Sequence, residues 1–183
     1  MFNDEAQLIR RARAGDSQAL TTLYDRYQPA IFTYLFYRID DQAVAEELTS
    51  EVFVRMVEKI ERYQERGQSI LAWLYAIARN LRADYYRLAD STQLLPLDET
   101  LVAAHDDPPQ VVERHLAADC LRRALRYLTD EQQEVIVHKF VGSRSNAEVA
   151  VLLDRDEGAV KSLQHRALAA LRRAIEKERC YEL

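Results

Sequence analysis

Lys161, Ser162, His165 and Arg166 fall at i, i+1, i+4 and i+5 of a segment that carries no acid from Gly158 to Ile175. On a helix this spacing groups a long cation, a hydroxyl, an imidazole and a guanidinium on one face. Donors of that kind near a helix N-terminus reach base edges in a DNA major groove, while Arg172 and Arg173 suit phosphates. The competing reading is an ordinary solvated basic face. A second constellation lies in LAWLYAIARNLRADYYR (71–87), where Arg79, Arg82 and Arg87 are interleaved with Trp73, Tyr75, Tyr85 and Tyr86. Rings stack on unpaired bases while guanidiniums hold the strand, so this pattern suits single-stranded nucleic acid. Asn80 and Asp84, at i and i+4, can hydrogen-bond an extruded base. Trp and Tyr at helical spacing equally suit a core, and Trp73 is assigned there. No nucleophile constellation, metal cluster or phosphate loop accompanies these residues, so neither an enzyme nor a cofactor is expected.

The elements that must position these side chains are announced by caps. Thr129–Gln132 reads as a capping box, opening a helix through Val135, Ile136 and Phe140 to Gly142. Ser145–Glu148 is a second box, opening a short helix through Leu153. Asp156 then caps a helix from Glu157 to about Arg179. A short helix, a tight turn and a longer helix form a helix-turn-helix. Before them, Leu116–Leu128 is amphipathic, with Ala117, Leu121, Ala124, Leu125 and Leu128 inward. Toward the N-terminus a short helix ends at Gly15, and Asp16 or Ser17 caps a helix through Leu20, Leu23, Tyr27, Ile31 and Leu35, with Pro29 inside it. A third helix repeats at Ala45, Leu48, Val52, Met56 and Ile60. The fourth repeats at Leu71, Leu74, Ala78, Leu81, Tyr85 and Leu88.

Composition agrees with this. The 183 residues contain four Gly and four Pro, where average usage would give roughly 13 and 9. Sandwiches and barrels, which need frequent turns, are excluded. The fold class is all-α. Three of the four prolines lie between 96 and 109, and residues 91–115 hold five acids against Arg114 alone. Two small helical domains, 1–90 and 116–183, joined by an acidic linker over 91–115, are therefore expected. The net charge of −5 then divides as −2, −4 and +1 along the chain. Cys120 and Cys180 are too few for a disulfide framework, and a core thiol and an exposed tail thiol are expected in a reducing compartment. No apolar run is long enough to span a bilayer and no signal peptide is apparent, so a cytoplasmic protein without membrane insertion is expected.

DDQAVAEELTSEVFVRMVEKI (40–60), AWLYAIARNLRADYYR (72–87), LRRALRYLTDEQQEVIVHKF, NAEVAVLL and EGAVKSLQHRALAALRR together resemble an extracytoplasmic-function (ECF) sigma factor. The resemblance covers both domains. It implies that the first is sigma region 2, which melts and reads the −10 promoter element, and the second sigma region 4, which reads the −35 element. By that resemblance Lys139, Lys161, Ser162, His165 and Arg166 bind the −35 duplex. Arg79, Asn80, Asp84 and Arg87 bind the −10 strand, with a pocket completed by the loop around Arg66–Ser69. Glu47, Leu48, Glu51 and Phe53 dock on core RNA polymerase at the β′ clamp. Partners implied are core RNA polymerase (β′ clamp and β flap), promoter DNA and an anti-sigma factor. The alternative is a free-standing helix-turn-helix regulator.

The match has departures. Ser50 stands where the family usually has Gln, and Ser143–Arg144 where the turn usually has Gly-Leu. Leu163 and Gln164 stand where an Arg and an aliphatic residue are common, as if the buried stripe had moved back by one residue.

Overall fold

A computed structural model describes residues 2–64, 69–92 and 109–180. Residues 65–68, with Arg66 of the expected −10 pocket, and 93–108 of the expected linker lie outside the described residues. The described chain is helical: α1 (Phe2–Arg13), α2 (Ser17–Phe36), α3 (Gln42–Lys59) ending in a 3₁₀ turn (Ile60–Arg62), and α4 (Ile70–Thr92) form the N-terminal half. The C-terminal half holds α5 (Pro109–Leu125), α6 (Asp130–Ile136) running into a π-helical turn (Val137–Val141), α7 (Asn146–Leu153) and α8 (Glu157–Lys177).

The boundaries have chemical causes. Asp16 caps α2 by accepting from the amides of Gln18 (3.0 Å) and Ala19 (3.2 Å), and Gly15 precedes it at φ +83°, where a side chain would be strained. Asp41 does the same for α3. Both expected capping boxes are present: Thr129 with Gln132 opens α6, and Ser145 with Glu148 opens α7. Asp156 caps α8 through the Ala159 amide at 2.7 Å.

Several sequence expectations are corrected. Helices enter the 91–115 stretch from both sides, α4 running to Thr92 and α5 starting at Pro109. Proline's fixed φ and missing N–H suit the first helical position, so Pro109 opens α5. The inward stripe of α4 ends before Leu88, which is 64% exposed, and Ala117 faces solvent. Phe140 is 48% exposed because the π-helical turn shifts the phase of the last residues of its helix. Cys120 and Cys180 are joined in a disulfide and are not separate thiols. Arg179, at φ +52°, turns the chain after α8 so that Cys180 meets α5, with the Cα atoms 6.0 Å apart.

The halves are not independent in this arrangement. One buried cluster runs from Leu23, Ile31, Leu35, Met56 and Leu74 through to Leu125, Ile136 and Leu152. A smaller cluster of Val135, Val149, Ala150, Val160 and Leu163 holds α6, α7 and α8 together as the helix-turn-helix.

Candidate nucleic-acid interface

Burial on α8 decides which residues are offered to a ligand. Val160 and Leu163 are buried against α6 and α7, and Ala167 and Ala174 are buried in the larger cluster. That registers Lys161, Ser162, His165 and Arg166 outward, and all four are exposed. Leu163 is 2% exposed and Gln164 half-buried, so the apolar stripe does pass through position 163. Lys161 pairs with Glu157 one turn earlier at 3.0 Å, an exposed contact that a phosphate can displace at little cost. Lys139 is half-buried in the π-helical turn. Ser143 takes φ +53°, which accounts for Gly being usual at that place in the turn.

The α4 residues are placed differently. Asn80 is exposed, and Asp84 is half-buried and paired with Arg87 at 3.0 Å. Arg82 donates from Nε to the Arg38 carbonyl (3.0 Å) and from a terminal nitrogen to Asp130 of α6 (3.0 Å). Arg79 lies 4.0 Å from Glu134, also of α6. Of the interleaved aromatics, Tyr75 is buried at the junction of the halves and is not available for stacking. Trp73 is half-buried, its ring 5.0 Å from that of Tyr63. Tyr85 and Tyr86 are half-buried side by side.

The junction itself carries a polar cluster that sequence reading did not find. Glu134 is 6% exposed; it accepts from the Tyr34 hydroxyl at 2.6 Å, from His138 Nε2 at 3.1 Å and from the Arg38 guanidinium. Arg38 also donates to the Tyr34 hydroxyl, to Gln133 and to Asp130. Burial alone would raise the Glu134 carboxyl; the His138 hydrogen bond and the Arg38 charge outweigh it and bring it down to about 2. Burial holds His138 below its ordinary value, so it is neutral at neutral pH and donates from Nε2, leaving Nδ1 without a partner among the described residues. Arg144 donates to the Tyr75 hydroxyl at 2.8 Å, and Arg122 to the carbonyls of Ile39 (2.9 Å) and Asp40 (2.6 Å). Beside these contacts lies a cleft of about 250 Å³ lined by Arg38, Arg82, Arg122 and Arg126. Nothing in the local pattern marks these residues, because their partners are about 95 positions away.

On α3 the exposed stripe holds Glu47, half-buried Leu48 and Glu51, the last paired with Arg55 at 2.9 Å. Phe53 does not share it: it is 5% exposed and meets the Tyr24 ring edge-on at 4.8 Å. Val54, half exposed one turn beyond Glu51, continues the stripe instead and was missed by the motif comparison. No described helix is long and apolar enough to cross a membrane.

Comparison with known proteins fits the two halves in order. The Sigma-70 region 2 model matches residues 23–92 and the Sigma-70 region 4 model residues 118–171. The chain is 36% identical over 171 residues to the ECF RNA polymerase sigma factor BldN of Streptomyces coelicolor, covering 92% of this chain and 65% of that protein's length. It is 30% identical over 160 residues to the ECF sigma factor SigX of Bacillus subtilis, covering 84% of this chain and 82% of SigX. Among solved structures, the sigma factor RpoE in complex with the anti-sigma factor NepR from Bartonella quintana shares the fold. Its TM-score is 0.61 at 20% identity, over 85% of this chain and 96% of that one.

Proposed function

Because the chain belongs to the extracytoplasmic-function family of RNA polymerase sigma factors, we propose that it is an alternative-sigma initiation factor that directs core RNA polymerase to its own promoters. It performs no bond chemistry; the polymerase carries the catalysis. Residues 1–90 act as region 2, 91–115 as an acidic connection and 116–183 as region 4.

Region 4 reads the −35 duplex with Lys161, Ser162, His165 and Arg166, while Lys139 holds the backbone. Region 2 captures the melted −10 strand on α4: Arg79 and Arg87 neutralise phosphates, and Asn80 and Asp84 accept or donate at an extruded base. Extruding that base costs a few kcal/mol of stacking, which the pocket contacts offset. Asp84 offers acceptors alone when ionised, so it favours a base that presents a donor. Glu47, Leu48 and Glu51 dock on the basic β′ clamp helix, with region 4 against the β flap. An anti-sigma factor is the expected inhibitor, as RpoE is solved with one. The protein acts in the cytoplasm, where core polymerase is.

The observation that carries this reading is the exposed donor face of α8 in a chain that matches both sigma regions in order. Run-off transcription with core polymerase and a genomic promoter pool tests it. Added protein yields promoter-specific initiation, and Arg166→Ala and Lys161→Ala lose −35-dependent initiation while still binding core. Specific duplex binding by a symmetric dimer without polymerase, and no initiation, would favour the free-standing regulator instead.

A further inference from the structure

Promoter reading and polymerase docking leave one covalent feature unused. Cys120 on α5 and Cys180, just past α8, are the two cysteines of the sequence, and they are bonded to each other with their Cα atoms 6.0 Å apart. The loop they close contains α6, α7 and α8, the whole helix-turn-helix. Non-covalent contacts bring the same two segments together. Glu178 accepts from Arg123 at 3.0 Å and from the Tyr127 hydroxyl at 2.8 Å, and the Lys177 ammonium lies 4.3 Å from the centre of the Tyr127 ring. Arg179 at φ +52° then turns the backbone, and the Cys180 amide donates to the Ile175 carbonyl at 3.4 Å. With these contacts in place the two sulfurs stay neighbours when the bond is broken, so it can form again. Cys120 is 7% exposed and Cys180 half-buried, so a thiol from solution reaches the pair at Cys180.

Disulfides are rare and mostly catalytic or redox-sensing where thiol reductants are abundant, and the proposed work on core polymerase places the chain among such reductants. The C-terminal half has about 70 residues, a size at which one core leaves a small margin of stability. Its private core is the cluster of Val135, Val149, Ala150, Val160 and Leu163, since Leu125, Ile136, Leu152 and Ala167 belong to the cluster shared with the N-terminal half. Closing a loop of 60 residues shifts the folded-to-unfolded ratio by about 1000-fold in the chain-entropy account. A cross-link of that weight is a large part of what keeps so small a region folded.

We propose that Cys120 and Cys180 form a thiol–disulfide switch of region 4, worked by small thiols and disulfides, in which closing the bond steadies the helix-turn-helix for −35 binding and opening it loosens that unit. The switch rests on the sigma-factor reading for its setting and its output. In closing, the Cys180 thiolate attacks one sulfur of a small disulfide and expels a thiolate, leaving a mixed disulfide. The Cys120 thiolate then attacks Cys180 Sγ and expels the second. The protein pair loses two electrons and two protons, and the small disulfide gains them as two thiols. Excess small thiol runs the same steps backward. By linkage, folding favours the closed pair by the same factor as the bond favours folding.

The full-length chain is equilibrated in glutathione buffers stepped from reducing to oxidising, quenched in acid, alkylated and resolved by mass. The folded pair is expected to open and close within that range, and urea to shift its equilibrium toward the thiols by about 1000-fold. A pair that stays closed or stays open throughout overturns the switch, as does an equilibrium that urea leaves unmoved. Amide exchange of α7 and α8 is expected to be at least about 10-fold faster in the open form; equal rates overturn the proposal. Holoenzyme on a promoter that depends on its −35 element reads the output. The closed form is expected to initiate at least about 3-fold more than the open form, with Cys120→Ser, Cys180→Ser at the open level in both buffers. Equal output from the closed and open wild type overturns the switch. No initiation in either buffer counts against the sigma-factor reading instead, and the exchange rates then decide the switch.

Discussion

The two helix faces proposed to meet nucleic acid are built on different plans. On α8 the donors face outward: Val160 and Leu163 beneath them pack within their own half, and the ion pair of that face among the described residues, Lys161 with Glu157, is local and exposed. On α4 two cations face the other half, Arg82 paired with Asp130 at 3.0 Å and Arg79 lying 4.0 Å from Glu134, while Arg87 pairs locally with Asp84. The difference teaches that a basic residue's availability is not a property of its own helix. The face proposed for the −35 duplex is exposed in this arrangement, whereas Arg79 and Arg82 of α4 depend on how the halves are arranged.

The comparison breaks most visibly at Glu134. Truncating it leaves the Arg38 guanidinium, 5% exposed, without its main counter-charge, and breaking one side of a buried pair costs about 3–5 kcal/mol. Glu134→Ala should lower the urea midpoint accordingly, whereas Arg166→Ala on the open face should move it by no more than about 0.5 kcal/mol. Equal effects in a parallel urea titration would erase the distinction between a face paired to the other half and a free one.

That contrast also explains what could be read in advance. The caps at Thr129, Ser145 and Asp156 and the periodicity of α8 are local, so the helix-turn-helix and its donor face were legible from spacing. The junction was not, because Tyr34, Arg38, Glu134 and His138 acquire meaning from partners in the other half. Glu134 in isolation is a surface acid on a short amphipathic helix, and Arg38 a stray cation after an apolar run. Phe53 failed for a related reason: motif position suggested a docking residue, but Tyr24 from α2 covers it. The cysteines were misread because a pair 60 residues apart says nothing of proximity until α5 and α8 are packed.

The disulfide sharpens the comparison from within the C-terminal half. It closes a loop of 60 residues, for which chain entropy gives about 4 kcal/mol. Cys120→Ser, or dithiothreitol on the wild type, should lower the thermal midpoint of region 4. The staple ties α5 to α8 and bonds no residue of the other half, so compactness by scattering under native conditions should be unchanged. Expansion on reduction would show that the two halves are coupled through α5, whose Arg122 clasps region 2.

Acid should act on the joint and spare the open face. Glu134 is held at about 2 in the folded chain against 4.5 when unfolded, so its contribution is complete above about pH 4.5 and is lost as pH falls toward 2. It amounts to about 3 kcal/mol. His138 has the same sign, since the unfolded imidazole takes a proton below about 6.5 and the buried one, facing Arg38 and Arg144, resists it. Stability should therefore decline in two stages, below about pH 6.5 and again below 4.5. Glu134→Gln should shrink the second stage in chemical denaturation across pH, leaving the smaller part due to Asp16, Glu148 and Glu178, which hydrogen bonds also hold below the usual carboxylate range. An undiminished second stage would place the acid sensitivity elsewhere than the junction.

The smallest effect lies in the turn that feeds the open face. Ser143 holds φ +53° and Asp154, which ends α7, φ +52°. The left-handed region costs an ordinary L-residue about 1–2 kcal/mol, and Asp tolerates it better than Ser by bonding its own backbone. Gly at 143 relieves that cost but adds freedom to the unfolded chain, about 0.5–1 kcal/mol, so Ser143→Gly should gain about 0.5 kcal/mol net and Asp154→Gly less. Gly142, beside it, permits no such freedom: a Cβ there would lie 2.8 Å from the His138 carbonyl. Paired urea titrations resolve the ranking, and because both turns lie within region 4, neither substitution should alter single-strand binding by the free chain. A change there would mean that the turn carrying Arg144 to Tyr75 sets the packing of the two halves as well as that of α8.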